Sequence, residues 1–169
     1  MMRNSKNKNN GFTLVELIIV IAIIAILAAM IFVALDPARR LHESRNSRRW
    51  SDVHTIVDAL RKYQSDNEGS HYATISSINA AAFYQIGTCS SGGDNGCTAE
   101  STQTACIDLT GLPSNYLSTI PVDPKDGTGE KSDYYIRVDS LGAVIVGACD
   151  PEGEGVNGSG DAPLIEVSR

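Results

Sequence analysis

The sequence contains few of the residue types that catalytic and metal centres use. Its 3 histidines, His42, His54 and His71, are widely separated in the chain, and no G-x-S-x-G, H-E-x-x-H or Walker pattern occurs. None of its 4 cysteines belongs to a C-x-x-C pair or lies close in sequence to a histidine, as zinc ligands commonly do. These absences predict a protein that is not an enzyme and has no zinc-type metal centre. We expect His42 and His54 to be exposed on a helix.

Charged residues are also missing from a long apolar run near the amino end. Between Phe12 and Leu35, Glu16 is the one charged residue, and the run contains neither proline nor glycine. As an α-helix the run would be roughly 36 Å long, whereas the hydrocarbon core of a bilayer is about 30 Å thick. The sequence therefore predicts that residues 12–35 form a membrane-spanning helix.

The short segment before this run lacks acidic residues. Residues 1–11 carry Arg3, Lys6 and Lys8 and are otherwise largely polar, which is typical of a processing segment and not of a folded element. A basic flank also favours a cytoplasmic amino end for the spanning helix. The formal net charge of the whole chain is -6, so general nucleic-acid binding is disfavoured and no nucleic-acid site is evident.

A second helical pattern follows the apolar run. Apolar residues recur at spacings of three and four, as in an amphipathic helix with one face on a core: Trp50, Val53, Ile56, Val57, Leu60 and Tyr63. Pro37 lies between the two patterns, where it can begin a helical turn or introduce a kink. Gly69 is suited to a left-handed cap after the last turn. We predict helix from about residue 12 to about residue 67.

Five arginines lie just beyond the apolar run: Arg39, Arg40, Arg45, Arg48 and Arg49. One interpretation is that they face phosphate headgroups or acidic neighbours, and the other is that they form a solvated helix face. The sequence leaves both open.

The second half of the chain has the alternation and turns of an antiparallel sheet. Tyr134, Ile136 and Val138 alternate with Tyr135 and Arg137. The elements predicted from these signals are a strand over 134–138, a turn over 140–142, a strand over 143–148 and a third strand over 164–167. Residues 72–86 fit either a strand or a helix. The predicted fold class is α+β, with a long N-terminal helix packed on a small antiparallel sheet.

All 4 cysteines lie in the part of the chain expected outside the membrane: Cys89, Cys97, Cys106 and Cys149. An even number of cysteines in an exported domain predicts two disulfides, with three pairings open. We favour a bond from Cys149, just after a predicted strand, to the 89–106 region. That region is rich in glycine, serine and threonine, so disulfides would replace a missing apolar core there.

The junction Gly11-Phe12-Thr13-Leu14-Val15-Glu16 lies between the basic segment and the apolar run. It closely resembles the processing motif of type IV prepilins and pseudopilins. The resemblance implies a pilin-like fold, cleavage between Gly11 and Phe12 by the prepilin peptidase, and N-methylation of Phe12. It also implies three segments: a leader over 1–11, a transmembrane and filament-core helix over 12–35, and an extracytoplasmic head over 36–169.

Glu16 is the residue of this motif that physical chemistry singles out. A carboxylate at membrane depth is costly and usually marks a function with a partner. The family resemblance implies that Glu16 pairs with the Phe12 amine of a neighbouring subunit. An intrachain pair is the alternative, because residues four apart share a helical face.

The same resemblance implies partners and a location. The partners are copies of this chain or related pilins in a helical filament, the prepilin peptidase, inner-membrane assembly machinery, and membrane lipid before assembly. The location is the inner membrane for the single-pass precursor, and then an extracellular or periplasmic filament.

A fainter resemblance lies in the carboxy-terminal half. Ile120-Pro121-Val122-Asp123-Pro124, followed by Asp133-Tyr134-Tyr135, is similar to the loop and sheet entry of secretion pseudopilins and short bacterial pilins. Some such loops bind calcium, and this region supplies carboxylates of the type that calcium uses, without the spacing of an EF-hand: Asp123, Asp126, Glu130, Asp133 and Asp139. A solvated acidic loop is the favoured interpretation. We therefore expect no cofactor, with calcium as the alternative.

These observations predict a structural subunit of an extracellular type IV pilus. A pseudopilin of a type II secretion system is the alternative within the same class. A single-pass membrane-anchored binding protein or enzyme is the alternative from another class, but it explains neither Glu16 nor the Gly11-Phe12 junction.

Overall fold

The computed structural model describes residues 11–89 and 97–168 of the 169-residue chain. Most of the predicted leader and the centre of the 89–106 region therefore lie outside the described residues. The chain divides into two compact units, one ending at Pro37 and the other beginning at Ala38.

The first unit contains helix α1, Leu14–Leu35, a helix of 22 residues. It forms readily because its interior has no proline or glycine to interrupt the backbone hydrogen bonds. It buries no residue within the chain, and its apolar side chains are exposed all round. By length and composition it can cross a membrane, as predicted.

Helix α2, Pro37–Asp66, follows after a single non-helical residue. Asp36 has φ of 41° in the left-handed region, because a residue that precedes proline is disfavoured in the right-handed helical region. The predicted helix over 12–67 is thus confirmed in extent but interrupted at Asp36. After α2, Gly69 has φ of 84° and donates its N–H to the Gln64 carbonyl at 2.9 Å, which confirms the predicted cap.

One face of α2 is buried and forms one side of the main hydrophobic core. Val53, Ile56 and Val57 are completely buried, and Leu60 is nearly so. Trp50 remains 38% exposed, so its predicted core position is wrong. The preceding residue, Arg49, lies on the buried face instead.

The other side of the core is formed by a four-stranded antiparallel sheet, whose strands are arranged in the order β1-β2-β3-β4. Its strands are β1 Tyr84–Gln85, β2 Tyr134–Val138, β3 Val144–Ala148 and β4 Glu166–Ser168. The predicted hairpin is confirmed, and the predicted third strand begins two residues later than expected and ends one residue later. Residues 72–86 contain both candidate structures, since the short helix α3, Ala73–Ser76, precedes β1. A 3₁₀ turn, Val156–Gly158, lies between β3 and β4.

The two faces of the sheet have different environments. Tyr134 and Ile136 pack in the main core, whereas Tyr135 lies in a smaller cluster with Cys97, Cys149 and Phe83. The Tyr135 ring covers Gly147 on β3, where an added Cβ would lie 2.3 Å from the tyrosine Cζ. The face of the sheet that carries Tyr135 therefore requires glycine at position 147, and it is partly covered by Cys97 and Cys149.

Candidate functional site

Thr13 and Glu16 form a reciprocal cap at the amino end of α1. The Thr13 hydroxyl oxygen accepts the Glu16 N–H at 3.2 Å. In return, Glu16 Oε2 accepts the Thr13 N–H at 2.8 Å and the Thr13 hydroxyl at 2.9 Å. This capping box satisfies two donors that the first turn of a helix otherwise leaves without partners. Its signature, T-x-x-E, is visible in the sequence, but the role of Thr13 becomes evident only from these hydrogen bonds.

The capping box also determines where the Glu16 charge sits. A carboxylate in the first turn is stabilised by the positive end of the helix dipole and by the Thr13 donors. A carboxylate accepts up to about four hydrogen bonds, so acceptor capacity remains for a further partner. Phe12, which precedes the cap, is 92% exposed. In the uncleaved chain its nitrogen is an amide, so pairing of a Phe12 amine with Glu16 stays a prediction.

Arg49 is the buried centre of an ion-pair network between α2 and two loops. It donates from Nε to Asp123 Oδ2 at 2.5 Å and from Nη2 to Asp123 Oδ1 at 3.0 Å. Its Nη1 donates to Glu152 Oε2 at 3.0 Å. The solvated-face interpretation is therefore wrong for Arg49, whose acidic neighbours come from its own chain.

Three further residues of α2 extend this network to the loop after β3. Arg45 donates to Glu152 Oε1 at 2.8 Å, and Asn46 exchanges two hydrogen bonds with the Glu152 backbone at 2.7 and 3.1 Å. His42 Nδ1 lies 2.8 Å from the Gly153 carbonyl oxygen. His42 is half-buried, so its predicted exposure is wrong, whereas His54 is exposed as predicted.

The pKa shifts of the central pair follow from this geometry. Burial alone would raise the pKa of Asp123, but hydrogen bonds from Arg49 and from the Lys125 N–H outweigh it and hold the pKa below 3.8. Burial likewise opposes the Arg49 charge, but the Asp123 and Glu152 carboxylates raise the pKa of Arg49 above its usual value. Both groups are therefore ionised at neutral pH.

Two disulfides join the cysteines, Cys89 to Cys106 and Cys97 to Cys149. The prediction of two bonds, with Cys149 joined to the 89–106 region, is confirmed. Cys149 follows β3 directly and is completely buried. The second disulfide therefore attaches the segment that begins at Cys97 to the end of a central strand.

Two of the candidate calcium ligands have other partners. Asp123 binds Arg49, and Asp139 accepts the N–H groups of Leu141 and Ala143, each at 2.8 Å, within the hairpin turn. Within 11–89 and 97–168, no three His, Cys, Asp or Glu side chains are placed to hold a metal ion. The calcium alternative gains no support from these residues and stays an untested prediction.

A cavity of about 540 Å³ lies beside β1. Its apolar wall consists of Leu109, Leu112, Leu117, Ile120 and Val122, and the rest is glycine, serine and threonine. None of the described lining residues is an acid, a base or a cysteine, so its hydroxyl groups have no neighbouring base to activate them. The cavity therefore lends no support to an enzymatic function.

A family model described as the prokaryotic N-terminal methylation motif matches residues 6–32. No curated protein and no solved structure matches the chain. The matched residues include the Gly11-Phe12 junction, the capping box and most of α1. The chain therefore carries a prepilin signal of the type IV pilin and pseudopilin kind at residues 6–32, and its fold is α+β and pilin-like.

Proposed function

We propose that this protein is the structural subunit of a type IV pilus, cut between Gly11 and Phe12, methylated at the new amino group and polymerised through α1. One observation carries the proposal. The methylation motif leads directly into a helix that is apolar and exposed all round and whose one charged side chain is Glu16.

The exposed surface of α1 requires a covering. Its 22 residues bury nothing within the chain, so water would contact the whole apolar surface of an isolated soluble copy. Lipid can cover this surface in the precursor, and α1 helices of other copies can cover it in the filament. Ala22, Ala25, Ala28 and Ala29 are small enough to allow close approach of helix backbones.

Glu16 supplies a reason for ordered addition of subunits. Before assembly, the Thr13 donors partly satisfy its carboxylate. After cleavage, the Phe12 ammonium of a neighbouring copy offers a full positive charge. In a medium of low dielectric constant this attraction is much stronger than in water. A subunit in the wrong axial register would lose it, so the pair would favour one register.

Two measurements test this function. N-terminal sequencing and mass analysis of the mature protein should give a chain that begins at Phe12 and carries an added methyl group. In cells that have a variant as their only copy of this subunit, Glu16→Gln and Glu16→Leu should both be inserted and cleaved but should assemble few filaments. Glu68→Gln, an exposed substitution in the head, is the matched control and should assemble normally. Normal filament number and length with Glu16→Leu would contradict the proposal.

A type II secretion pseudopilin is the second candidate. It is favoured by the Asp123-Pro124 loop, which the Arg49 pair holds against α2. Deletion of the gene distinguishes the two functions, since loss of surface filaments supports a pilin and loss of protein secretion with no change in surface filaments supports a pseudopilin.

A further inference from the structure

Leu141 is an apolar side chain that projects from the head at the tip of the β2–β3 hairpin. It is 91% exposed, more than any other large apolar side chain in the described part of the head. Water therefore contacts nearly all of a side chain whose burial would be favourable. Its neighbours in the turn, Ser140 and Gly142, are also uncharged. The hairpin tip is thus an uncharged apolar projection.

Hydrogen bonds hold this projection in one conformation. Asp139 Oδ1 accepts the Leu141 N–H and the Ala143 N–H, each at 2.8 Å. The Asp139 N–H donates in turn to the Ala143 carbonyl at 3.0 Å. Gly142 has the left-handed φ of 84° that this turn requires, and its N–H donates to the Asp139 carbonyl at 3.1 Å. Because the turn is already ordered, a contact made through Leu141 costs little further backbone freedom.

The cavity beside β1 has a complementary character. Its floor consists of the buried leucines Leu109, Leu112 and Leu117, whereas Ser118 and Gly129 are exposed at its mouth. No described lining residue is charged, so an uncharged group can enter without desolvating a charge. The volume of about 540 Å³ is several times that of a leucine side chain, which leaves room for the adjoining turn residues.

The projection and the cavity lie at opposite ends of the sheet. Gly87 and Ser132, which line the cavity, are at the end where β2 begins, whereas Leu141 lies beyond the end of β2. The five residues of β2 alone span about 17 Å, so the hairpin tip does not reach the cavity of its own chain. A second copy can bring the two together. Such a head-to-tail contact continues from copy to copy and does not close into a two-fold dimer.

We propose that Leu141 of one copy docks into the cavity beside β1 of a neighbouring copy in the filament. This inference rests on the proposed function and adds to it a contact between heads. The area that one hairpin tip buries is well below the roughly 1,200 Å² of a stable interface. The contact therefore acts between subunits whose α1 helices already associate, where the effective concentration is high. It selects which surfaces of neighbouring heads meet.

Cysteine cross-linking tests the contact directly. A chain that carries both Leu141→Cys and Ser118→Cys should form a ladder of disulfide-linked multimers on non-reducing gels of cell membranes and filaments, since the bond requires Cα atoms within about 7 Å. Leu164→Cys with Ser118→Cys is the matched control, because Leu164 is another exposed leucine of the head. The control should give no ladder.

Filament counts give a second readout in cells that have the variant as their only copy. Leu141→Asp should lower filament number about tenfold, because its carboxylate would lose water in an uncharged cavity, whereas Leu141→Met and Leu164→Asp should assemble normally. Gly129→Trp should have the same effect by filling the mouth of the cavity. An added Cβ at Gly129 meets nothing within 4 Å, so this chain should still fold, and Gly129→Ala is its control.

The outcomes separate this contact from the proposed function. Absence of the ladder, or normal filament number with Leu141→Asp, would overturn the docking. Loss of filaments with Gly129→Trp but not with Leu141→Asp would also overturn it, since another molecule would then occupy the cavity. If wild-type cells made no filaments, the pilus function would fail, and a ladder from the membranes of the cysteine variant would still support the contact between copies.

Discussion

Arg49 and Asp123 lie 74 residues apart in the chain, yet their side chains meet edge to edge in the interior of the head. The two guanidinium nitrogens and two carboxylate oxygens form a bidentate pair, and both side chains are inaccessible to solvent. Such a pair fixes the orientation of the two groups, which a single point charge cannot do, because the planar guanidinium with its two parallel N–H donors fits one orientation of the carboxylate. It fixes the loop before β2 against the first half of α2.

Arg49→Met should destabilise the head by about 3 to 5 kcal/mol, since it leaves the Asp123 carboxylate buried without its cation. Chemical unfolding of the full chain in detergent measures this loss. Arg49→Lys keeps the charge but loses the bidentate hydrogen bonds, so its loss of unfolding free energy should lie between those of wild type and Arg49→Met. Arg48→Met is the control, because Arg48 is 63% exposed and lies 3.7 Å from Asp52, an arrangement worth less than about 1 kcal/mol.

The contribution of the Arg49–Asp123 pair to the stability of the head should decrease at acidic pH. The pKa of Asp123 in the folded protein is below its ordinary value of 3.8, so the pair stabilises the head fully at neutral pH. That stabilisation should disappear as the pH falls through the folded pKa. Arg49→Met should therefore flatten the acid limb of the stability curve, and an unchanged acid limb would contradict this role.

The two disulfides should differ in their contributions to stability. Cys97 and Cys149 are 52 residues apart, whereas Cys89 and Cys106 are 17 apart. Loop-closure entropy then makes the Cys97–Cys149 bond more stabilising by about 1 kcal/mol, within a usual range of about 2 to 5 kcal/mol for a native bond. Unfolding of the double alanine variants, Cys97→Ala with Cys149→Ala against Cys89→Ala with Cys106→Ala, compares them directly. A larger loss for the second pair would show that loop length does not decide the order.

The Thr13 hydroxyl should affect filament formation through the capping box. Thr13→Val keeps the shape of the side chain but removes both hydroxyl contacts with Glu16. Loss of a cap of this kind costs about 1 kcal/mol. We expect fewer filaments, with Thr13→Ser close to wild type because it retains the hydroxyl. Equal filament counts for the valine and serine variants would mean that the hydroxyl has no part in assembly.

Gly11 should be sensitive to any added side chain during maturation. An added Cβ meets nothing within 4 Å in the protein itself, so a substitution should not disturb folding. We expect Gly11→Ala to be cleaved slowly and Gly11→Leu to remain a precursor, because the peptidase must approach the backbone closely at this point. Immunoblots of precursor and mature chain measure the ratio, and wild-type cleavage of Gly11→Leu would refute the expectation.

The extents of α1 and α2 and the β2–β3 hairpin could be predicted because each depends on local sequence. Apolar side chains around a helix, spacings of three and four, and alternation about a turn are periodic signals that short segments carry. The same is true of the T-x-x-E cap, whose partners are three residues apart. Gly11, Phe12 and Glu16 were likewise recognisable because the processing motif is continuous in the chain.

The environments of Arg49, Trp50 and Asp133 were decided only by the tertiary structure. Spacing predicted Trp50 on the core face, but the Asp123 and Glu152 carboxylates arrive from distant loops and make burial of Arg49 favourable instead. In the same way, antiparallel pairing of β2 and β3 brings the start of one strand beside the end of the other, so that the Cys149 N–H donates to the Asp133 carbonyl at 3.0 Å. Sequence periodicity specifies which face of an element is apolar, whereas the partners of a buried charge depend on residues that only folding brings together.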